Sequence, residues 1–177
     1  MSHAHPDRPS SSAWAGRTFR ATPIGVVRRS DGLASSSHGA FLDPAVPSEL
    51  VIDEQWTPDL AGIEEFSHLV ALFWFDGVAP RRQPGHLLRP EGRDDMPEIG
   101  FFATRTPRRP NPITICCPRL LRRDGNRLVV TGLDAWDGTP VLDVKGYLPR
   151  DEQRADASIP GWQLRLNAIH ERERGQG

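Results

Sequence analysis

The sequence predicts a mainly β protein of one small domain: an antiparallel β-barrel with a short helix and long loops. Three observations carry this. Short β-branched and aromatic runs recur along the chain, bounded by Gly, Pro, Asn and Asp. Stretches with helical spacing of apolar residues are few. No GxGxxG follows the first strand, which argues against a doubly wound fold. At 177 residues the chain can bury a real core within one domain.

Residues 1–16, polar and rich in Ser and Pro, are expected to be a disordered tail, residues 17–150 the barrel domain, and residues 151–177 a partly ordered C-terminal extension. "TPIGVVR" (22–28) is β-branched and predicts the first strand. "SDGLASSSHGAF" (30–41) has loop composition, and "SELVID" (48–53) is the second strand. Thr57 followed by Pro58 predicts an N-cap and the first position of a short helix. "SHLVALFWFD" (67–76) is the most apolar run; it is too short and too aromatic for a buried helix and predicts a central strand.

Residues 77–100 form a long connection with four prolines, a length usually kept for function or mobility. "FFAT" (101–104) predicts a strand. "ITICCPRLLRR" (113–123) predicts another, with Pro118 imposing an edge or a bulge. Asp124-Gly125-Asn126 is a tight reversal into "RLVVTGLDAW" (127–136), giving a hairpin. After the turn at Asp137–Pro140, "VLDVKGYL" (141–148) alternates as a half-buried strand. "GWQLRLNAIHERE" (161–173) suggests a strand followed by a frayed helix.

The formal net charge of −1 supplies no overall field toward nucleic acid or membrane. The distribution is uneven: seven arginines and one acid, Asp124, lie between Arg105 and Arg127. Arginine is planar, always charged and able to grip carboxylate or phosphate with two donors. No apolar run approaches the roughly 20 residues of a membrane span, and the N-terminus lacks the apolar stretch of a signal peptide. A cytoplasmic location is expected. The cysteines, Cys116 and Cys117, are adjacent, so they close almost no loop as a crosslink and are too few for a zinc site. They are expected to be small buried strand residues in a reducing compartment, with no metal bound.

Three segments hold the candidate chemistry. In "FFATRTPRRPNPIT" (101–114), Pro107, Pro110 and Pro112 fix φ and keep the backbone extended. The backbone groups of residues 104–113 then need partners outside a regular sheet, and arginines on so stiff a loop lose little entropy on gripping an anion. In "LDAWDGTPVLDVK" (133–145), Asp134, Asp137 and Asp143 suit a divalent cation, turn capping or, for Asp134, ribose hydroxyls. In "GIEEFSHLVALFWFD" (62–76), Glu64 and Glu65 read as first-turn acids of a short helix, His68 as a hydrogen-bonded structural residue, and Trp74 and Phe75 as core. P-loop, nucleophile-elbow and zinc-finger signatures are absent.

Taken together, "GIEEFSHL…FWF", "FATRTPRRPNPI" and "GLDAWDGTPVLDVKGYLP" resemble the TsaA/TrmO-like family of S-adenosylmethionine-dependent methyltransferases. The resemblance spans about residues 22–149. It implies a small β-barrel, a homodimer, S-adenosyl-L-methionine as cofactor, and methylation of N6 of threonylcarbamoyladenosine at tRNA position 37. Carried onto this chain, it implies a cofactor pocket lined by Arg105 and Ile115, by Leu133, Asp134, Ala135 and Trp136, and by Phe75 and Asp76. It places Ser37, His38 and Gly39 in the loop after the first strand, where the family has a Pro-Arg-Gln-Pro-Gly-like sequence. Arg108, Arg109, Asn111, Lys145 and Tyr147 fall on the substrate side, with Arg119, Arg122 and Arg123 as further candidates for RNA contact.

Methyl transfer from an already activated donor asks chiefly for alignment, so no covalent residue is expected. No residue is assigned as the base; His38 and Asp76 are the candidate groups. The chain departs from the family pattern at residues 34–41, at Thr114, at Trp136 and at Gly146, where the family has Lys-Pro-Tyr. Two other readings therefore stand beside the first: a methyltransferase for a different small molecule or RNA, and a non-catalytic module that binds the nucleoside cofactor.

Overall fold

In the computed structural model, the described residues are 16–32, 45–77, 85 and 87–174. The expected disordered tail lies outside them except for Gly16, and so do Ser37, His38 and Gly39. Among the described residues nine strands form: β1 (Gly25–Arg29), β2 (Ser48–Ile52), β3 (Leu69–Trp74), β4 (Leu87–Leu88), β5 (Ile99–Gly100), β6 (Ile113–Cys116), β7 (Arg119–Asp124), β8 (Arg127–Thr131) and β9 (Pro140–Gly146). Two helices close the chain, α1 (Pro149–Glu152) and α2 (Gly161–Arg174).

Seven strands make one antiparallel sheet in the order β6-β3-β9-β1-β2-β8-β7, and β4 and β5 form a small separate ribbon. The mainly β, antiparallel reading holds. A closed barrel is not found among the described residues, where the strand order runs from β6 at one edge to β7 at the other. Pro118 interrupts one predicted strand. Its ring removes a ladder donor, and the predicted single strand over 113–123 splits into β6 and β7. β6 pairs with β3, β7 pairs with β8, and the two therefore end opposite edges of the sheet. At the break, an isolated bridge joins His68 to Arg119, the Leu69 amide donates to the Pro118 carbonyl at 3.0 Å, and the Leu120 amide donates to the Ser67 carbonyl at 2.9 Å.

Period-2 alternation sets the core. Val27, Leu50, Ile52, Leu69, Phe73, Leu128, Val130 and Val141 are fully buried in one cluster, each contributing about 1.5–3 kcal/mol of transfer free energy. Gly25 is required by close approach, since a Cβ there would stand 2.3 Å from the Val51 carbonyl oxygen. The β7–β8 hairpin turns through Gly125, whose φ of +59° suits the first central position of a primed turn.

Several local expectations are corrected. The first strand starts at Gly25, not Thr22, and the short helix is a 3-10 helix over Glu54–Leu60, beginning before Thr57. Phe101–Ala103 forms a 3-10 turn, because the extended segment is spent one step earlier in β5. Residues 161–174 form one helix and no strand. Leu166 is buried on that helix, and His170 Nε2 lies 2.7 Å from Glu91 Oε1. Trp74 and Phe75 are half-buried, short of full core burial.

Candidate functional site

The proline-stiffened segment solves its hydrogen-bonding problem locally. The Thr104 hydroxyl donates to the Phe101 carbonyl at 2.8 Å and receives the Thr106 amide at 3.3 Å. The Thr106 hydroxyl receives the Arg108 amide at 3.4 Å, and the Arg109 amide reaches the Pro107 carbonyl at 2.8 Å. Such short side-chain turns replace sheet pairing where proline forbids it. The Phe75 amide donates to the Pro112 carbonyl at 2.9 Å, which ties the end of β3 to the end of the segment.

Arg109 serves this turn. Its Nη1 donates to the carbonyls of Phe101 (3.2 Å) and Thr104 (2.9 Å), and its guanidinium lies 5.5 Å from the centre of the Phe102 ring. Arg105 instead reaches the sheet. Its Nη2 donates to the Ile115 carbonyl at 2.9 Å. β6 is the edge strand beside β3, which leaves that carbonyl outside the ladder.

The 133–136 segment arrives at the same place from the end of β8. Leu133 and Ala135 are buried, Asp134 is exposed and Trp136 is half-buried. The meeting point is Cys116. Its Sγ–H points at the Gly132 carbonyl at 3.6 Å. Burial pushes the Cys116 thiol above its ordinary range; the Asp134 amide, by hydrogen bonding the sulfur, and the nearby Arg105 guanidinium pull it back, whereas the Asp134 carboxylate and Cys117 add to the rise. Cys116, next to the Ile115 carbonyl that Arg105 grips, thus ties β6 to Gly132 at the start of the 133–136 segment. The third expected wall is connected through Phe75 and Pro112, with Asp76 exposed beside it.

The acidic residues separate. Asp137 Oδ1 accepts the Arg29 amide at 2.8 Å, with Arg28 Nη1 3.6 Å from Oδ2. Asp143 accepts the Val144 amide at 2.9 Å and pairs with Lys145. No group of three or more potential metal ligands occurs among the described residues. Lys145 lies in β9 opposite Val70, and just after the strand the Tyr147 amide donates to the His68 carbonyl at 3.0 Å. His68 itself takes a structural position, with Nδ1 3.0 Å from the Ser67 hydroxyl. Arg108 is exposed on its loop, and Arg119 and Arg122 are exposed on β7. Arg123 is not exposed in this way, as its guanidinium donates to the carbonyls of Leu60, Thr57 and Gly125 and to Glu64.

Two residues at this site escape a reading of the sequence by type. Cys116 looks like core filler, yet it marks the junction; its neighbour Cys117 is exposed, against expectation, and both thiols are free. Arg29 is nearly buried behind Leu133. The available signal was alternation, since Gly25, Val27 and Arg29 share the inward face of β1.

The model of the tRNA-methyltransferase O N-terminal domain matches residues 37–153, the stretch that carries all of these segments except β1. The chain belongs to that family. An S-adenosyl-L-methionine-binding protein of Archaeoglobus fulgidus is 37% identical over 129 residues, covering 72% of this chain and 88% of its own length. A tRNA (adenine(37)-N6)-methyltransferase of Eikenella corrodens is 46% identical over 101 residues, 55% of this chain and 56% of that protein. Among solved structures, TrmO from P. aeruginosa superposes with a TM-score of 0.62 at 30% identity, over 82% of this chain and 62% of that one. The chain therefore spans less than two thirds of the length of that solved relative.

Proposed function

We propose that this chain is an S-adenosylmethionine-dependent methyltransferase acting on N6 of adenosine 37 in tRNA, with the threonylcarbamoyl derivative as acceptor. The observation that carries the reading is that Arg105 donates to the Ile115 carbonyl at 2.9 Å and Cys116 to the Gly132 carbonyl at 3.6 Å, which joins two segments lying within the family match. The residues fit the cofactor. Arg105 spends one Nη2 donor on Ile115 and keeps others for a carboxylate. Exposed Asp134 can accept from ribose hydroxyls, and half-buried Trp136 and Phe75 offer apolar surface.

The cofactor supplies a methyl group on a sulfonium. Bound there, it would supply that methyl to the acceptor nitrogen by in-line displacement, leaving a neutral thioether, and the nitrogen proton would pass to solvent or a base. The protein's part is alignment and exclusion of water. Arg108, Arg119 and Arg122 serve as phosphate contacts, with Asn111, Lys145 and Tyr147 on the acceptor side; Arg109 and Arg123 are largely committed to protein carbonyls. A homodimer follows the family, and exposed Ile113 and Ile115 on edge strand β6 are the apolar surface available to it. A cytoplasmic location accompanies a tRNA substrate; no described helix is long and apolar enough to cross a membrane.

The test is incorporation of labelled methyl into tRNA carrying the unmethylated derivative, with excess protein. Label at adenosine 37 is expected; label equal to the protein-free blank removes the tRNA assignment. A second reading keeps the cofactor and changes the acceptor, as a methyltransferase for another molecule or a non-catalytic nucleoside-binding module. It is favoured by one observation: the Phe66 ring occupies the space beside Gly146, between Lys145 and Tyr147. A screen of acceptors, with calorimetry of the cofactor alone, separates the two.

A further inference from the structure

Arg29 lies at the inward end of β1, and its side chain is fully buried. Its Nε and Nη2 donate to the two carboxylate oxygens of Asp31 at 2.9 and 2.6 Å, a bidentate pair. Its Nη1 donates to the Leu133 carbonyl at 3.4 Å, and its main-chain amide donates to Asp137 Oδ1 at 2.8 Å. One residue therefore touches both ends of the irregular 133–137 stretch.

We infer that Arg29 is the positioning residue of the 133–136 wall, fixing the peptide plane through which that wall meets the cofactor site; the inference rests on the cofactor reading above. The peptide unit is planar and trans, so a carbonyl aimed at Arg29 sends the following amide the opposite way. That amide is Asp134's, and on the far side it meets the Cys116 sulfur. Arg29 thus determines which way the Asp134 amide and the start of the wall point. A buried ion pair is costly to desolvate and seldom adds stability over apolar packing. A flat guanidinium, however, holds a carbonyl and a carboxylate in one plane, which a lysine ammonium does not. The arrangement suits orientation more than stability.

Amide hydrogen exchange, thermal melting and calorimetric titration with S-adenosylmethionine test this in Arg29→Lys and Asp31→Asn. The expected result is faster exchange at residues 133–136, by about tenfold, with the β1, β2 and β8 core amides unchanged. Cofactor affinity is expected to fall by about tenfold as preorganisation is lost. Unchanged exchange at 133–136 in both variants overturns the inference. So does loss of protection across the whole sheet, which would make Arg29 a general stabiliser. If Arg29→Lys does not fold, Asp31→Asn decides. If the wild type binds no cofactor, the proposed function fails, while the exchange comparison still judges the role of Arg29.

Discussion

The ring of Phe66 lies over Gly146, where a Cβ would stand 2.5 Å from ring atom Cε1. This explains why glycine occupies the middle of Lys145-Gly146-Tyr147. Gly146→Ala is expected to destabilise by about 1–3 kcal/mol, the ordinary cost of overpacking. Phe66→Ala in the same chain should remove most of that penalty. Urea melts of the two single variants and the double variant measure the coupling; additive effects would mean that the ring moves aside freely.

Arg105 links the proline-stiffened segment to Ile115 and stands near the Cys116 sulfur. Arg105→Ala is expected to weaken S-adenosylmethionine binding by about 1.5–3 kcal/mol, the range for a hydrogen bond to a charged group. Arg105→Lys should restore part of the charge effect but not a two-donor grip. Calorimetry reads both, and unchanged affinity in Arg105→Ala would remove this residue from the pocket.

Arg123 holds the Leu60, Thr57 and Gly125 carbonyls, together with Glu64. Arg123→Ala is expected to cost about 2 kcal/mol of stability by leaving these acceptors unmatched. Its effect on the salt dependence of tRNA binding should be small. Removing Arg108, Arg119 or Arg122 should instead lower the slope by about one for each phosphate no longer neutralised. The Glu64 carboxyl is held below its usual range by its own backbone amide and then by Arg123. A depressed carboxylate adds stability above its ordinary value that disappears on acidification through the folded one. Arg123→Ala should therefore flatten part of the acid limb of the stability curve.

The two thiols should behave differently. Cys117 is exposed, and Cys116 is half-buried with its thiol pushed upward chiefly by burial. Alkylation followed by mass spectrometry should label Cys117 first, with Cys116 lagging at neutral pH. A raised folded value means that the contribution is whole below the unfolded thiol value, about 8.5, and fades as pH climbs through the folded one. Cys116→Ser should thus lose less stability than the wild type between neutral and alkaline pH, as read by urea melts.

How much of this was legible in the sequence depends on the range of the forces involved. β-branched runs and turn residues act locally, and they placed β2, β3, β9 and the β7–β8 hairpin to within a few residues. Arg105, Ile115 and Asp134 became cofactor-site candidates through the family resemblance, not through residue type or spacing alone. Boundaries failed where neighbours compete: β5 took the extended residues that left Phe101–Ala103 to turn, and tertiary contact made one helix of residues 161–174.

The sequence by itself determined the antiparallel β class, an irregularity at Pro118 and the rigid arginine-bearing segment, because proline geometry and side-chain alternation are properties of the chain alone. Only the tertiary structure decided that β6 and β7 end opposite edges of one sheet, that Cys116 reaches the Gly132 carbonyl, and that Arg29 grips Leu133 across 104 residues of chain. Those relations depend on which strand each edge finds as its neighbour, and that choice is made by packing over the whole core.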